Sequence, residues 1–164
     1  MSDTPPNTLS LSGGCQCGAV RYRFSAKPDD VSICHCRMCQ KATGGMFGAF
    51  AGGPIENFSL TRGTLSVFRS SDSVERGFCA RCGTPLTFAR VGGAQISVTL
   101  GSLDHPADFV PTEQTCPDGR LPYTLALHDV ADLPPIEEAA PELAVFIAST
   151  NHQHPDHDTE QWPA

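Results

Sequence analysis

The chain has 164 residues, which is enough for one domain with a modest hydrophobic core. Its formal net charge of −7 argues against nucleic acid or an anionic membrane as a partner, because both favour a basic protein surface. Charged residues make up only 18%, and 15 glycines and 14 prolines indicate a turn-rich, mainly β protein.

The N-terminal segment is polar, and we predict that residues 1–12 are a lead-in to a single domain over residues 13–149. No apolar stretch has the form of a signal peptide or approaches the ~20 residues needed to span a bilayer. We therefore expect a cytoplasmic protein without a membrane partner. Thiols stay reduced in that compartment, so grouped cysteines there more often bind metal than form disulfides.

Short alternating runs predict several strands. AVRYRF places Val20, Tyr22 and Phe24 on one face and Arg21 and Arg23 on the other. VSICHC predicts a second strand, and RMCQKATGG predicts a short helical turn that ends at its glycines. TLSVFRS, PLTFARV and QISVTLGSL predict further strands, the last two of them joined by a hairpin turn at a pair of glycines.

The C-terminal part predicts one helix and a polar tail. PPIEEAAPELAVFIAST is the only helical pattern of any length, with Leu143, Phe146 and Ile147 at helical spacing. The tail over residues 150–164 is rich in histidine, at His152, His154 and His157. These histidines are not contiguous, and we expect a solvated tail.

Seven of the eight cysteines fall in three clusters, Cys15-x-Cys17, Cys34-x-Cys36-x-x-Cys39 and Cys79-x-x-Cys82. Tetrahedral zinc requires its thiolates to converge on one point at about 2.3 Å each. C-x-C on a strand presents both side chains on one face, and C-x-x-C brings two sulfurs together through a tight turn. The two pairs together supply four thiolates, which predicts a closed structural zinc site formed by Cys15, Cys17, Cys79 and Cys82.

The middle cluster has only three cysteines. A zinc ion with three protein ligands keeps a fourth position for water or substrate, as catalytic zinc sites do. We therefore predict a catalytic zinc on Cys34, Cys36 and Cys39, and two zincs per chain. Metal coordination deprotonates a thiol, so a thiol substrate bound there would be a nucleophile toward an aldehyde.

Other roles for these cysteines stay open. They include a disulfide scaffold, an iron–sulfur cluster, and two closed structural zincs with His35, Cys116 or another group as the eighth ligand. His35 would point away from Cys34 and Cys36 on a strand, so we expect a core or supporting residue. Cys116 is expected either as a buried apolar residue, the more usual case, or as a free thiol near the pocket.

The ordered segments GGCQCGAVRYRF, CHCRMCQKATGG, RGFCARCGTPL and VTLGSLDHP resemble the GFA/CENP-V family, whose namesake is the glutathione-dependent formaldehyde-activating enzyme. The resemblance covers residues 10 to 135. It implies a β-tent (Mss4-like) fold of antiparallel sheets around zinc, with a structural zinc on C-x-C plus C-x-x-C and a catalytic zinc on C-x-C-x-x-C. It also implies addition of glutathione to formaldehyde to give S-hydroxymethylglutathione, which in the reverse direction is a carbon–sulfur lyase reaction.

One segment departs from the family pattern. In PTEQTCPDGRLPY, Gln114 stands where the family commonly has histidine, Cys116 where it has an apolar or aromatic residue, and Tyr123 where it has tryptophan. If this segment lines the pocket, the thiol adduct could differ from that of glutathione and formaldehyde.

Cationic and polar residues beside the middle cluster are candidates for binding the thiol substrate. Arg37, Lys41 and Thr43 lie next to the predicted open zinc, and the two carboxylates of glutathione would suit the two cations. Balance of the thiolate charge or plain solvation are the alternatives for the cations. For Asp104 and His105 we favour a turn in which the aspartate caps local amides over an acid/base pair.

The sequence thus predicts a zinc-dependent carbon–sulfur lyase-type enzyme whose partners are a small-molecule thiol, glutathione above all, and an aldehyde. The rival prediction is a zinc-binding module without catalytic activity that mediates protein interaction. An eighth protein ligand on the second zinc would favour the module.

Overall fold

The computed structural model describes residues 11–162. These contain ten strands: β1 (Ser12–Gly14), β2 (Arg21–Phe24), β3 (Asp30–Cys34), β4 (Gly48–Pro54), β5 (Phe58–Arg62), β6 (Ser66–Ser71), β7 (Val74–Phe78), β8 (Pro85–Arg90), β9 (Gln95–Thr99) and β10 (Glu113–Thr115). The helices are α1 (Arg37–Thr43), α2 (Ile136–Ala139) and α3 (Pro141–Thr150). The predicted mainly β class is confirmed.

The strands form two sheets. The smaller has the order β1-β2-β5, and the larger has the order β10-β3-β4-β9-β8-β7-β6. All pairs are antiparallel except β10 with β3, which is parallel, so the larger sheet is mixed. The predicted hairpin between β8 and β9 is present, with Gly92 in the left-handed conformation at φ 68.

The hydrophobic core is built from β2 and the central strands of the larger sheet. Tyr22 and Phe24 are fully buried, together with Leu86 and Val98. They alternate along their strands, as period-two patterning requires. Cys15 and Cys79 belong to the same cluster, so the core extends to the predicted structural zinc site.

Arg21 does not face solvent as its place in the alternating pattern predicts. It is 2% exposed, and its guanidinium donates to both carboxylate oxygens of Asp104 at 2.7 and 2.6 Å and to Asp158 at 3.0 and 2.8 Å. Asp104 also accepts from the Ser12 hydroxyl at 2.6 Å. Asp104 is therefore the buried counter-ion of Arg21, and the prediction that it caps local amides is wrong.

The tail packs against the domain around His154, so the prediction of a solvated tail is wrong there. His154 is 4% exposed, and its backbone N–H donates to the Gln16 carbonyl at 2.7 Å. Its ring contacts Trp162 edge to face at 4.5 Å, and the indole N–H of Trp162 donates to the Cys17 carbonyl. The chain after α3 therefore lies over the loop that carries the first C-x-C pair.

The predicted C-terminal helix is divided in two. Ala140 has φ −153 and ψ 70, because the proline that follows it disfavours the helical conformation. The helical spacing of Leu143, Phe146 and Ile147 is present, but none of the residues of α3 is buried. No helix in the described residues is long and apolar enough to cross a membrane.

Candidate metal centres

The first cysteine group (Cys15, Cys17, Cys79 and Cys82) brings four sulfurs together within 4.8 Å of one another. Cys15 Sγ and Cys17 Sγ are 3.6 Å apart, and Cys17 Sγ and Cys79 Sγ are 3.9 Å apart. Thiolates at 2.3 Å from a tetrahedral zinc stand about 3.8 Å apart, so these spacings fit zinc.

Two tight turns produce this convergence. The N–H of Gly18 donates to the Cys15 carbonyl, and the N–H of Gly83 donates to the Cys79 carbonyl, both at 2.9 Å. Both glycines have positive φ, at 70 and 79 degrees, a conformation that other residues adopt only at a cost. The glycine directly after each cysteine pair therefore lets the chain fold back so that the two sulfurs meet.

The environment of the first cysteine group suits a closed structural site. Cys15 and Cys79 are 3% and 1% exposed. Burial raises the pKa of Cys15 to about 12. For Cys82, hydrogen bonds from the side chain and backbone of Thr84 outweigh the effect of burial and lower the pKa to about 6. A cation among the four sulfurs would hold all of them as thiolates, and four thiolates leave no position for substrate.

The second cysteine group (Cys34, Cys36 and Cys116) has three sulfurs within 4.8 Å of one another. Cys34 is the last residue of β3, Cys36 caps the N-terminus of α1, and their sulfurs are 3.4 Å apart. Burial acts to raise the pKa of Cys34, but hydrogen bonds from Thr115 and the Cys36 backbone outweigh it and lower the pKa to about 7. The lowered pKa favours the nucleophilic, metal-binding thiolate form of Cys34.

Cys39 lies beside the second cysteine group but is not one of its members. Its side chain is 5% exposed, and its backbone N–H donates to Cys36 Sγ at 3.4 Å. The guanidinium of Arg76 donates to Cys39 Sγ at 3.4 Å, yet burial dominates and raises the pKa of Cys39 to about 12. That Cys39 is a zinc ligand stays a prediction.

Cys116 is exposed, so the prediction of a buried apolar cysteine is wrong. It follows β10, in which Thr115 is the register partner of Cys34. No local sequence pattern indicates a strand pairing between residues about eighty positions apart. The one sequence feature that could have pointed to Cys116 is that it is the eighth cysteine, outside the three clusters. Cys116 is also the only non-glycine residue with positive φ among residues 11–162.

His35 is a buried supporting residue, as predicted. It is 3% exposed, and its Nε2 lies 2.9 Å from Gln114 Oε1. Arg120 donates to the same oxygen at 3.0 Å. The amide of Gln40 donates to the carbonyls of His35 and Gly119, both at 2.9 Å. These bonds fasten the segment around Cys116 to the loop that carries Cys34 and Cys36.

The three predicted substrate-binding residues differ in their surroundings. Arg37 is exposed and donates to Gln40 Oε1 at 3.3 Å. Lys41 lines a groove of about 370 Å³ together with Phe68 and Arg76. The hydroxyl of Thr43 lies 2.9 Å from the Cys39 carbonyl and 3.2 Å from the Phe47 carbonyl, so it stabilises the end of α1.

Arg76 is a site residue that the sequence analysis missed. It lies on β7, contacts Cys39 and stacks over the Phe88 ring at 5.0 Å. In the sequence, Arg76 looks like any solvent-exposed arginine of an alternating strand. It lies over an aromatic ring only because β7 pairs with β8, which places Arg76 opposite Phe88.

Comparison with known protein families assigns the chain to a family. The family described as glutathione-dependent formaldehyde-activating enzyme matches residues 10–116, more than half of the chain. The chain belongs to this family. The match contains both cysteine groups and ends at Cys116.

Two curated proteins are similar to this chain. A protein of Halomonas elongata named for the same glutathione-dependent formaldehyde-activating family is 34% identical over 92 residues, which cover 48% of this chain and 55% of that protein. An uncharacterized lyase of Schizosaccharomyces pombe is 32% identical over 81 residues, covering 49% of this chain and 58% of the lyase. The chain spans little more than half the length of these relatives.

A solved structure shows the same fold. A crystal structure of a Rhodobacter sphaeroides protein aligns with a TM-score of 0.50 at 22% sequence identity. It covers 63% of this chain and 99% of the other.

Proposed function

We propose that this chain is a zinc-dependent carbon–sulfur lyase-type enzyme that acts on thiol–aldehyde adducts, with glutathione and formaldehyde as substrates and S-hydroxymethylglutathione as product. The observation that supports this most is the second cysteine group, which lies at an exposed edge where a small substrate can reach it. The first cysteine group, by contrast, has two buried and two half-buried cysteines and supplies four sulfur ligands by itself. Family membership supplies the reaction class, and the two relatives' names agree with it.

The chemistry requires a thiolate next to a carbonyl carbon. A zinc ion held by Cys34, Cys36 and Cys39 would supply Lewis acidity that favours the thiolate form of a bound thiol. The carbon–sulfur bond then forms as the carbonyl oxygen gains a proton, and the reverse reaction breaks the same bond. The chain's own residues hold the thiol in place, since orientation of the two reactants contributes much of the rate gain.

The groove beside α1 supports an anionic thiol as substrate. Lys41 and Arg76 give it two cations, and Met38 and Phe68 give it an apolar wall. Arg76 also reaches Cys39, so the groove adjoins the predicted catalytic zinc. A tripeptide thiol with two carboxylates would place one carboxylate near each cation, which an uncharged thiol would not do.

Replacement of Cys36 by serine tests this function. We expect zinc to fall from two to one per chain, and turnover above the uncatalysed reaction to fall by at least about a hundredfold, because several kcal/mol of stabilisation are lost with the metal. Elemental analysis and a thiol–formaldehyde assay measure the two effects. Unchanged zinc and turnover would contradict the proposal.

The control is Ser32→Ala, which removes a hydroxyl from β3, the strand that ends at Cys34, and replaces no cysteine. It is expected to keep two zincs and full turnover. Thermal unfolding of both variants separates a local loss of metal from a loss of fold. An uncatalysed reference is needed in every assay, because thiols add to formaldehyde without an enzyme.

A zinc module that binds a protein partner is the second candidate, and one observation favours it. Cys116 brings another thiol to Cys34 and Cys36, so the second zinc could have four protein ligands and no open position. In that case Cys36→Ser would release zinc but would change no turnover, because the wild-type chain would give none above the background.

A further inference from the structure

We propose that Cys116 is a zinc ligand of the second cysteine group, on its solvent-facing side, and that a thiol substrate replaces it. The replacement rests on the proposed function, whereas the ligand assignment does not. The family pattern commonly has an apolar or aromatic residue in place of Cys116, and the C-x-C-x-x-C spacing does not reach it. The site at rest would then be closed by the chain itself.

The positions of the three sulfurs are compatible with one zinc ion. Cys116 Sγ is within 4.8 Å of both Cys34 Sγ and Cys36 Sγ, the same limit that the four sulfurs of the first cysteine group satisfy. Thiolates of one tetrahedral zinc are about 3.8 Å apart, so all three can contact one ion with small side-chain adjustments.

The backbone fixes Cys116 in this place. On one side, the N–H of His35 donates to the Thr115 carbonyl at 3.1 Å, which continues the pairing of β10 with β3. On the other side, Gly119 packs so closely on the loop that an added Cβ would lie 2.5 Å from the His35 carbonyl oxygen. The side-chain amide of Gln40 donates to the carbonyls of His35 and Gly119 and so ties the two segments together. An exposed thiol on a segment held at both ends is a preorganised ligand.

The difference in burial between Cys39 and Cys116 assigns them different roles. Cys39 is 5% exposed and is covered by Arg76, while Cys116 is exposed. An incoming thiol can therefore approach Cys116 directly but cannot reach Cys39 without displacing the arginine. When the thiol takes the place of Cys116, its proton passes to the departing sulfur, so the charge at the site stays the same.

Thiol labelling of the zinc-loaded chain tests the ligand assignment. Trypsin cleaves after Arg90 and Arg120, and the peptide over residues 91–120 contains Cys116 as its single cysteine. A short pulse of N-ethylmaleimide should label this peptide at least about tenfold more slowly with two zincs bound than with the first zinc alone, because a bound thiolate is protected. Equal labelling with and without the second zinc would overturn the assignment.

A second measurement does not depend on labelling. In Cys116→Ala, the weaker of the two zincs should pass to a competing chelator at about 10- to 100-fold lower chelator concentration. Alanine keeps the Cβ and hence the same backbone preference at this left-handed position. Glu113→Gln, on β10 just before Cys116, is the matched control and should behave as the wild type. Unchanged zinc retention in Cys116→Ala would also overturn the assignment.

Addition of glutathione before the pulse distinguishes this proposal from the proposed function. Faster labelling of Cys116 with both zincs retained supports both the ligand and its replacement by thiol. If glutathione does not change the protection of Cys116, then Cys116 is a zinc ligand that the thiol does not replace. That result contradicts the proposed thiol chemistry and favours the closed zinc module. The maleimide is used in excess over glutathione so that the free thiol does not consume it.

Discussion

Replacement of Cys79 by serine is expected to abolish cooperative folding of the chain. Cys79 is 1% exposed and belongs both to the first cysteine group and to the hydrophobic core. Binding of a structural zinc contributes about 10–16 kcal/mol in small zinc domains, which is as large as the whole stability of a typical domain. Circular dichroism, thermal unfolding and zinc content measure the result. Cys36→Ser is the matched control, since it removes a thiol from the second cysteine group and should leave the fold in place.

The outcome that would contradict this prediction is a Cys79→Ser variant that unfolds cooperatively with one zinc per chain. The first cysteine group would then be dispensable for the fold. If both variants unfold, the second metal centre is structural as well, and the open-site interpretation of Cys34, Cys36 and Cys39 loses its main support.

Replacement of Asp104 by asparagine is expected to lower the free energy of unfolding by about 3–5 kcal/mol, the usual cost of breaking a buried ion pair. The Arg21 and Asp104 side chains are 3% and 4% exposed, so the variant leaves a buried guanidinium without its main counter-ion. Asp158 is 41% exposed and cannot shield Arg21 alone. Denaturant unfolding in the presence of zinc measures the change.

The matched control is Asp158→Asn, which removes the exposed carboxylate of the same network. Its expected effect is below about 1 kcal/mol, because solvent screens an exposed ion pair. Equal losses in the two variants would contradict the assignment of Asp104 as the principal partner of Arg21.

The same ion pair predicts that the free energy of unfolding decreases at acidic pH. Burial acts to raise the pKa of Asp104, but hydrogen bonds from Arg21 outweigh it, so the pKa is lowered in the folded chain. The unfolded chain therefore binds more protons, and the contribution is fully present above the ordinary pKa of about 3.9. It is lost as the pH falls through the lower folded value. Asp104→Asn should show a shallower loss of stability below about pH 4 than the wild type.

Much of the fold was predictable from local patterns. The strands through Tyr22 and Val98 bury their apolar residues at alternate positions, and α1 ends at the glycines that the sequence indicates. The first cysteine group was predictable from spacing, but Cys15 and Cys17 lie in a turn after β1 and not on a strand as predicted, so both pairs of sulfurs meet through turns. These features depend on neighbours within a few positions.

The rest depends on contacts between distant residues. Nothing local distinguishes Arg21 from Arg23 on β2, yet one is buried with Asp104, 83 positions away, and the other is half exposed. The parallel pairing of β10 with β3 brings Cys116 to Cys34, and the burial of His154 depends on the loop after β1. Helical spacing in α3 predicted the helix itself but not that none of its residues is buried.

The two halves of the first cysteine group also set an order of assembly. Cys79 and Cys82 lie in one turn and can meet early, whereas Cys15 and Cys17 must close a loop of about sixty residues to join them, a slow and entropically costly step. A zinc ion bound first by Cys79 and Cys82 would have two free coordination positions. Cys15 and Cys17 could then be bound as soon as they meet it. Refolding of this chain should therefore be faster when zinc is present from the start than when it is added after dilution from denaturant.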